Sequence, residues 1–109
     1  MTEYWVYMLH CNNGSYYTGY TTDLTRRYQE HLTGTDKCKY TRSFKPIGIA
    51  QCWKTEDKIL ALRAERFIKK LPKNKKQQLV FRPEQLMDYL QNTIIHPTHR
   101  LSTAPLIAL

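Results

Sequence analysis

The sequence predicts an α+β fold in a single domain, and three observations carry that expectation. Strand-length runs rich in aromatic and branched residues occur at 3–10, 16–21 and 47–54. The dipeptide Asn13-Gly14 lies between the first two, and Asn-Gly supplies the positive φ that tight hairpin turns need. From Leu24 onward the apolar spacing changes from the period of a strand to that of a helix. A chain of 109 residues has room for one modest core and not for two.

Taken in order, the first strand alternates Tyr4, Val6 and Met8 against Trp5, Tyr7 and Leu9. Both of its faces are apolar, so this strand is expected to be covered on both sides. The second strand, 16–21, follows the turn. Thr22 or Asp23 then caps a helix over 24–33 that Gly34 closes. A polar loop over 35–46 carries Lys37, Lys39, Arg42 and Lys45. After the third strand, Thr55 is placed to cap a second helix with Glu56 and Asp57 in its first turn, where the helix dipole favours acids. Pro72 ends that helix near Leu71. Further helices are expected over 74–80 and from Pro83 through Leu90, and residues 93–109 show no clean period.

Composition narrows the class. The apolar fraction is 41%, but eight tyrosines among 12% aromatics supply enough rigid apolar surface to fold without disulfides. Cys11, Cys38 and Cys52 are odd in number and widely spaced, which reads as reduced thiols of a cytoplasmic protein and not as a metal knuckle. The start, Met1-Thr2-Glu3, lacks a basic segment followed by an apolar one, and no run approaches the ~20 apolar residues of a membrane span, so neither export nor a membrane is expected. Net charge is +8, and residues 63–82 hold eight bases against the single acid Glu65. Such a stripe suits a polyanion such as nucleic acid, and equally a solvated helix end.

Two departures from helical patterning point to chemistry. In the first helix the core-facing stripe is Leu24, Arg27, Tyr28, His31 and Leu32, so a guanidinium and an imidazole point towards the sheet. Taking Arg27 out of water is costly unless an anion meets it; the alternatives are that it snorkels to the rim or pairs with a carboxylate. In the second helix Leu60, Ala64, Phe67, Ile68 and Leu71 form the buried stripe and Glu65 lies on its shoulder. Glu65 either bridges Lys69 at i+4 or holds a divalent cation through oxygen, as magnesium prefers.

The order Tyr4-Trp-Val-Tyr-Met-Leu9, then Tyr16-Tyr-Thr-Gly-Tyr-Thr21, then 24–31 with Arg27 and His31, Lys39-Tyr-Thr-Arg42 and Ala61-Leu-Arg-Ala-Glu65 resembles the GIY-YIG nuclease superfamily over residues 3–71. The nearest likeness is to its small, single-domain bacterial members. That resemblance implies a three-stranded antiparallel sheet flanked by helices over 1–82, with 83–109 as a C-terminal helix and tail. It also implies a one-metal site hydrolysing DNA phosphodiesters, with Mg²⁺ or Mn²⁺ as the ion, on branched or damaged DNA in repair or recombination. Carried over by motif, Tyr7 and Tyr17 are the motif tyrosines, Arg27 the motif arginine, His31 a supporting polar residue and Glu65 the metal ligand. Gly19 allows close backbone approach, and Tyr20, Lys39, Arg42, Lys69, Lys70 and Lys73 are expected to hold the substrate. Tyr17 is favoured as general base and Tyr7 as its positioning partner, the reverse staying open. As a phenolate either would need its pKa of ~10 lowered by Arg27 and the ion.

The chain departs from the family pattern in lacking the first glycine, in placing Thr18 inside the second motif, and in having Tyr20 where some relatives have lysine. Nor is Asn74 matched to the asparagine that ends the domain in several relatives. Strand parity supplies an internal check. A strict two-residue turn at Asn13-Gly14 would set Tyr7 opposite Tyr20 and send Tyr7 and Tyr17 to different faces. An odd loop or a bulge puts them together, and that is the expectation. Two other classes stay open: a nucleic-acid-binding module without catalysis, using Lys37–Lys45 and Lys69–Lys76 for phosphates and exposed tyrosines for stacking, and a protein-interaction domain. The chain is expected to act as a monomer or weak dimer, with a protein partner left open. His10, His96 and His99 are expected to pack or lie at the surface.

Overall fold

The chain begins with β1 (Tyr4–Cys11) and β2 (Tyr16–Thr21), followed by α1 (Leu24–Thr33), α2 (Lys39–Ser43) and β3 (Pro46–Thr55). It continues through α3 (Lys58–Lys70), α4 (Lys73–Phe81), α5 (Gln85–Thr93) and a two-residue β4 (Ser102–Thr103). This computed structural model describes residues 2–34, 38–93 and 102–103. The expectations placed on Lys37, His96 and His99 lie outside the described residues. The strands form an antiparallel sheet in the order β2-β1-β3-β4, so the three long strands make the expected sheet and β4 adds a short pairing to β3. Among the described residues no helix is long and apolar enough to cross a membrane.

The hairpin resolves the parity question. Trp5 pairs with Thr21, Tyr7 with Gly19 and Leu9 with Tyr17. The connecting loop is therefore Asn12-Asn13-Gly14: Gly14 N–H donates to Cys11 C=O at 3.0 Å and Gly14 has φ +82°. A turn followed by a left-handed glycine is the usual three-residue hairpin, and its odd length sends Tyr7 and Tyr17 to the same face.

Helices cover both faces of the sheet, as expected. On one, Tyr7, Leu9 and Cys52 pack with Leu24 and Tyr28 of α1. On the other, Val6, Met8 and Trp53 pack with Leu60, Ala61, Ala64 and Ile68 of α3, Leu79 of α4, and Leu86 and Leu90 of α5. The indole N–H of the fully buried Trp53 donates to Pro83 C=O at 2.9 Å, tying the connection before α5 to the sheet.

Local signals explain most boundaries. Asp23 caps α1 by accepting from Arg26 N–H, and Gly34 closes it in the left-handed region at φ 72°. Four expectations need correction. Thr55 stays in β3 and accepts from Asp57 N–H, and the cap of α3 is Asp57, which accepts from both Ile59 and Leu60. Glu56 and Asp57 therefore precede the helix: an aspartate outcompetes a threonine already committed to a strand. Leu32, expected on the buried stripe of α1, is 37% exposed, and Phe67 and Leu71 of α3 are only partly buried, because Ala61 takes the innermost place. The stretch expected as loop over 35–46 contains the helix α2, whose five residues are too few to show a period.

Candidate active site at the tyrosine face

The strand register places Gly19 directly across from Tyr7. A Cβ built on Gly19 would lie 2.6 Å from the Tyr7 hydroxyl and 2.8 Å from the ring carbon bearing it, so the absence of a side chain there is what lets the phenol cross the neighbouring strand. Tyr7 is 1% exposed and has no room to retreat. Gly19→Ala is expected to destabilise the fold by roughly 1–3 kcal/mol through overpacking. It should also break the contact of Tyr7 with His31. Urea unfolding checks the first effect and the His31 ring signals in an NMR spectrum check the second.

His31, in the last turn of α1, is fully buried. The Tyr7 hydroxyl lies 2.9 Å from its Nε2, and Thr41 Oγ1 of α2 lies 2.7 Å from its Nδ1. Thr41 also donates to Cys38 C=O at 3.3 Å. A hydroxyl has one hydrogen, so Thr41 accepts from His31 Nδ1–H, Nε2 keeps a lone pair, and Tyr7 O–H donates to it. Burial first, then the nearby Arg27 charge, lowers the His31 pKa to about 4 against the pull of Glu30. Burial also raises the Tyr7 pKa, with Tyr17 adding to the effect and Arg27 opposing it. The pair is thus a neutral imidazole and a protonated phenol, and at Tyr7 burial outweighs the Arg27 charge that was expected to lower its pKa.

Tyr17 shares this face but is only half-buried, with its ring 6.4 Å from that of Tyr7 and 4.8 Å, edge-on, from His31. On its other side it stacks on Tyr40 of α2 at 5.9 Å. Arg27 lies beside Tyr7 and pairs with Glu30 at 3.1 Å, so it combines two of the alternatives open from sequence, facing the sheet and meeting a carboxylate. The Glu30 and Tyr7 contacts outweigh desolvation and hold the guanidinium charged.

Tyr7, Tyr17, Arg27, His31 and Gly19 thus come together. Glu65 comes from α3, whose apolar residues pack on the Val6, Met8 and Trp53 face while its Lys69 lines a cleft with Tyr17. Its carboxylate meets Lys69 at 3.2 Å, with the Glu65 side chain 14% exposed and that of Lys69 51%. Among the described residues no three His, Cys, Asp or Glu side chains gather to hold a metal. One carboxylate, with water and substrate phosphate completing the shell, fits magnesium and does not fit zinc.

The expected substrate residues divide. Tyr20, of opposite parity to Tyr17, packs against the α3 core instead of facing the site. Lys39 and Arg42 lie on the exposed side of α2. Lys69 and Lys73 line a cleft with Tyr17, whereas Lys70 lines a separate one with Arg63 and Arg66. Thr41 and Tyr40 were missed as site residues. The only signal in the sequence was their place between Lys39 and Arg42 in the quoted run.

Comparison with known proteins identifies the family. Residues 3–78 match the GIY-YIG catalytic domain. A UPF0213 protein of Listeria welshimeri is 46% identical over 83 residues, covering 75% of this chain and 91% of the relative. One from Halalkalibacterium halodurans is 44% identical over 78 residues, covering 72% and 82%. The solution NMR structure of a UPF0213 protein from Bacillus halodurans is 39% identical and covers 82% of this chain and 97% of its own, with a TM-score of 0.49.

Proposed function

Since the chain belongs to the GIY-YIG catalytic domain family, we propose that it is a divalent-metal-dependent endonuclease that hydrolyses DNA phosphodiesters, with a preference for branched or damaged DNA. The observation that carries this reading is the placement of Tyr7 and Tyr17 on one sheet face beside the charged Arg27. A preference for DNA structure over a long sequence suits a single small domain with limited surface for reading bases.

The roles follow from the protonation states. Water attacking phosphorus must lose a proton. Passing that proton through Tyr7 to His31 would charge an imidazole whose pKa is about 4, at roughly 4 kcal/mol near neutral pH, taking 1.36 kcal/mol per unit. That route loses. Tyr7 is therefore a positioning phenol: its hydrogen is held by His31, leaving its oxygen lone pairs for Arg27 and the attacking water. Tyr17, half-buried and lining the cleft, is the general base. Arg27 offsets charge that builds on the equatorial phosphate oxygens. Glu65 would hold a magnesium or manganese ion, which when bound polarises the phosphate and steadies the leaving oxygen.

The test is incubation with duplex, flapped and branched DNA in Mg²⁺ or Mn²⁺, with and without chelator. Cleavage that chelation abolishes is expected, and Glu65→Ala, which removes the one protein ligand proposed for the ion, should abolish cleavage while DNA binding is retained. A second reading, a binding module without catalysis, is favoured by one contact: the Lys69 ammonium already compensates Glu65. Binding without cleavage in either metal selects it.

A further inference from the structure

β2 is the edge strand of the sheet, and a cleft of about 320 Å³ lies alongside it. Its two walls differ in chemistry. One is aromatic, Tyr17 stacked on Tyr40; the other is formed by Lys69, Lys73 and Lys76 at the junction of α3 and α4. Thr18 lies between them, 3% exposed, with a buried hydroxyl that has no hydrogen-bond partner.

The aromatic wall is held in place by the hairpin. Asn13 Oδ1 accepts from the Ser15 hydroxyl at 2.6 Å, so the Ser15 oxygen is left to accept from Tyr40 O–H at 2.5 Å, which pins Tyr40 of α2 to the hairpin. From the opposite side Lys73 Nζ reaches the same hairpin, 3.4 Å from where a Cβ on Gly14 would stand. The aromatic wall continues outward to Phe44, 5.1 Å from Tyr40, and the two rings are 38% and 39% exposed respectively. Lys69 is partly offset by Glu65, so the positive field comes mainly from Lys73 and Lys76.

We propose that this cleft binds one unpaired strand of nucleic acid, with a base against the Tyr40 and Phe44 rings and its phosphates along Lys73 and Lys76, and leads it to Tyr17. Aromatic rings facing a row of cations are what a single strand uses, because it exposes base faces and backbone together. A duplex presents phosphates but keeps its base faces stacked and buried, so it would meet only the lysine wall. The proposal deepens the nuclease reading by naming the substrate as DNA unpaired beside the cut, the chemistry of a flap or a melted junction.

Fluorescence anisotropy without divalent metal tests the binding apart from the cleavage. The probes are a labelled single strand of about 12 nucleotides, long enough to span a typical single-strand site, and a duplex of the same length. The single strand should bind more tightly. Tyr40→Leu should weaken single-strand binding about tenfold, within the range for losing one stacked base. It should leave duplex binding within about twofold. Lys73→Ala with Lys76→Ala should lower the salt slope for the single strand by about 1.4, at ~0.7 per phosphate contact.

Tighter duplex binding, no binding of either probe, or a folded Tyr40→Leu protein that holds the single strand as the parent does would overturn the proposal. If Tyr40→Leu does not fold, the lysine pair decides alone, and an unchanged salt slope overturns it. A chain that binds single strands as expected and cuts nothing would leave this inference standing and remove the nuclease reading.

Discussion

Tyr17→Phe is expected to lower the cleavage rate by about 10²–10⁴-fold, the range for removing a general base. Folding stability should stay within about 0.5 kcal/mol, because the ring that meets His31 and Tyr40 is kept and the site is half open to solvent. Tyr7→Phe should behave in the opposite way. It strips the buried His31 Nε2 of its donor, and an orphaned buried acceptor costs roughly 1–3 kcal/mol. Its effect on rate should be smaller, since Tyr7 positions water and passes no proton on. Single-turnover rates for the two variants and the parent, beside urea unfolding, settle the assignment. If Tyr7→Phe is the variant that loses rate and keeps stability, the roles are reversed.

Acid should weaken this fold through His31. Its pKa is about 4 in the folded chain, against ~6.5 for an ordinary histidine. As pH falls below ~6.5 the unfolded chain takes up a proton that the folded chain refuses until about 4. Stability is therefore lost progressively between those two values and does not fall further on this account below them, by up to about 3 kcal/mol in all. Urea unfolding at neutral pH and near the lower limit should show that loss in the parent and its absence in His31→Gln, whose side chain does not titrate. An equal acid loss in both proteins would mean that other groups carry it. Thr41→Val probes the same chain of hydrogen bonds from its far end. It leaves His31 Nδ1–H without its acceptor in a fully buried place, at roughly 1–3 kcal/mol. The protonated ring nitrogen, read by ¹⁵N chemical shifts, should no longer be solely Nδ1, and Thr41→Ser should restore it.

How far the site could be read from the chain depends on how far apart its members lie. Arg27 and His31 betray themselves because they occupy core-facing positions of a helix whose period is plain in ten residues. Tyr7 and Tyr17 are linked by a loop whose length is a matter of parity, and Gly14 with its positive φ marks that loop. Thr41 and Tyr40 gave no such mark. They stand on a helix of five residues inside a polar stretch, and their importance comes from what they touch: His31, ten residues earlier, and Tyr17, on the far strand. Tyr20 errs in the other direction, since its place in the motif suggests the site while strand alternation turns it into the core. Glu65 shows the limit most sharply. Its spacing from Lys69 makes the ion pair at 3.2 Å readable, but the nearness of that pair to the cleft lined by Tyr17 follows only from how α3 packs.

The sequence by itself determined the three long strands, the longer helices with the Gly34 stop of α1, and the inward turn of Arg27 and His31, because each depends on residues within a turn or a pleat of one another. Tertiary structure alone decided the neutral Tyr7–His31–Thr41 chain and the cleft between Tyr40 and the lysines. Those join segments far apart along the chain, and neither periodicity nor backbone preference records which distant side chains will meet when desolvation and packing close the fold.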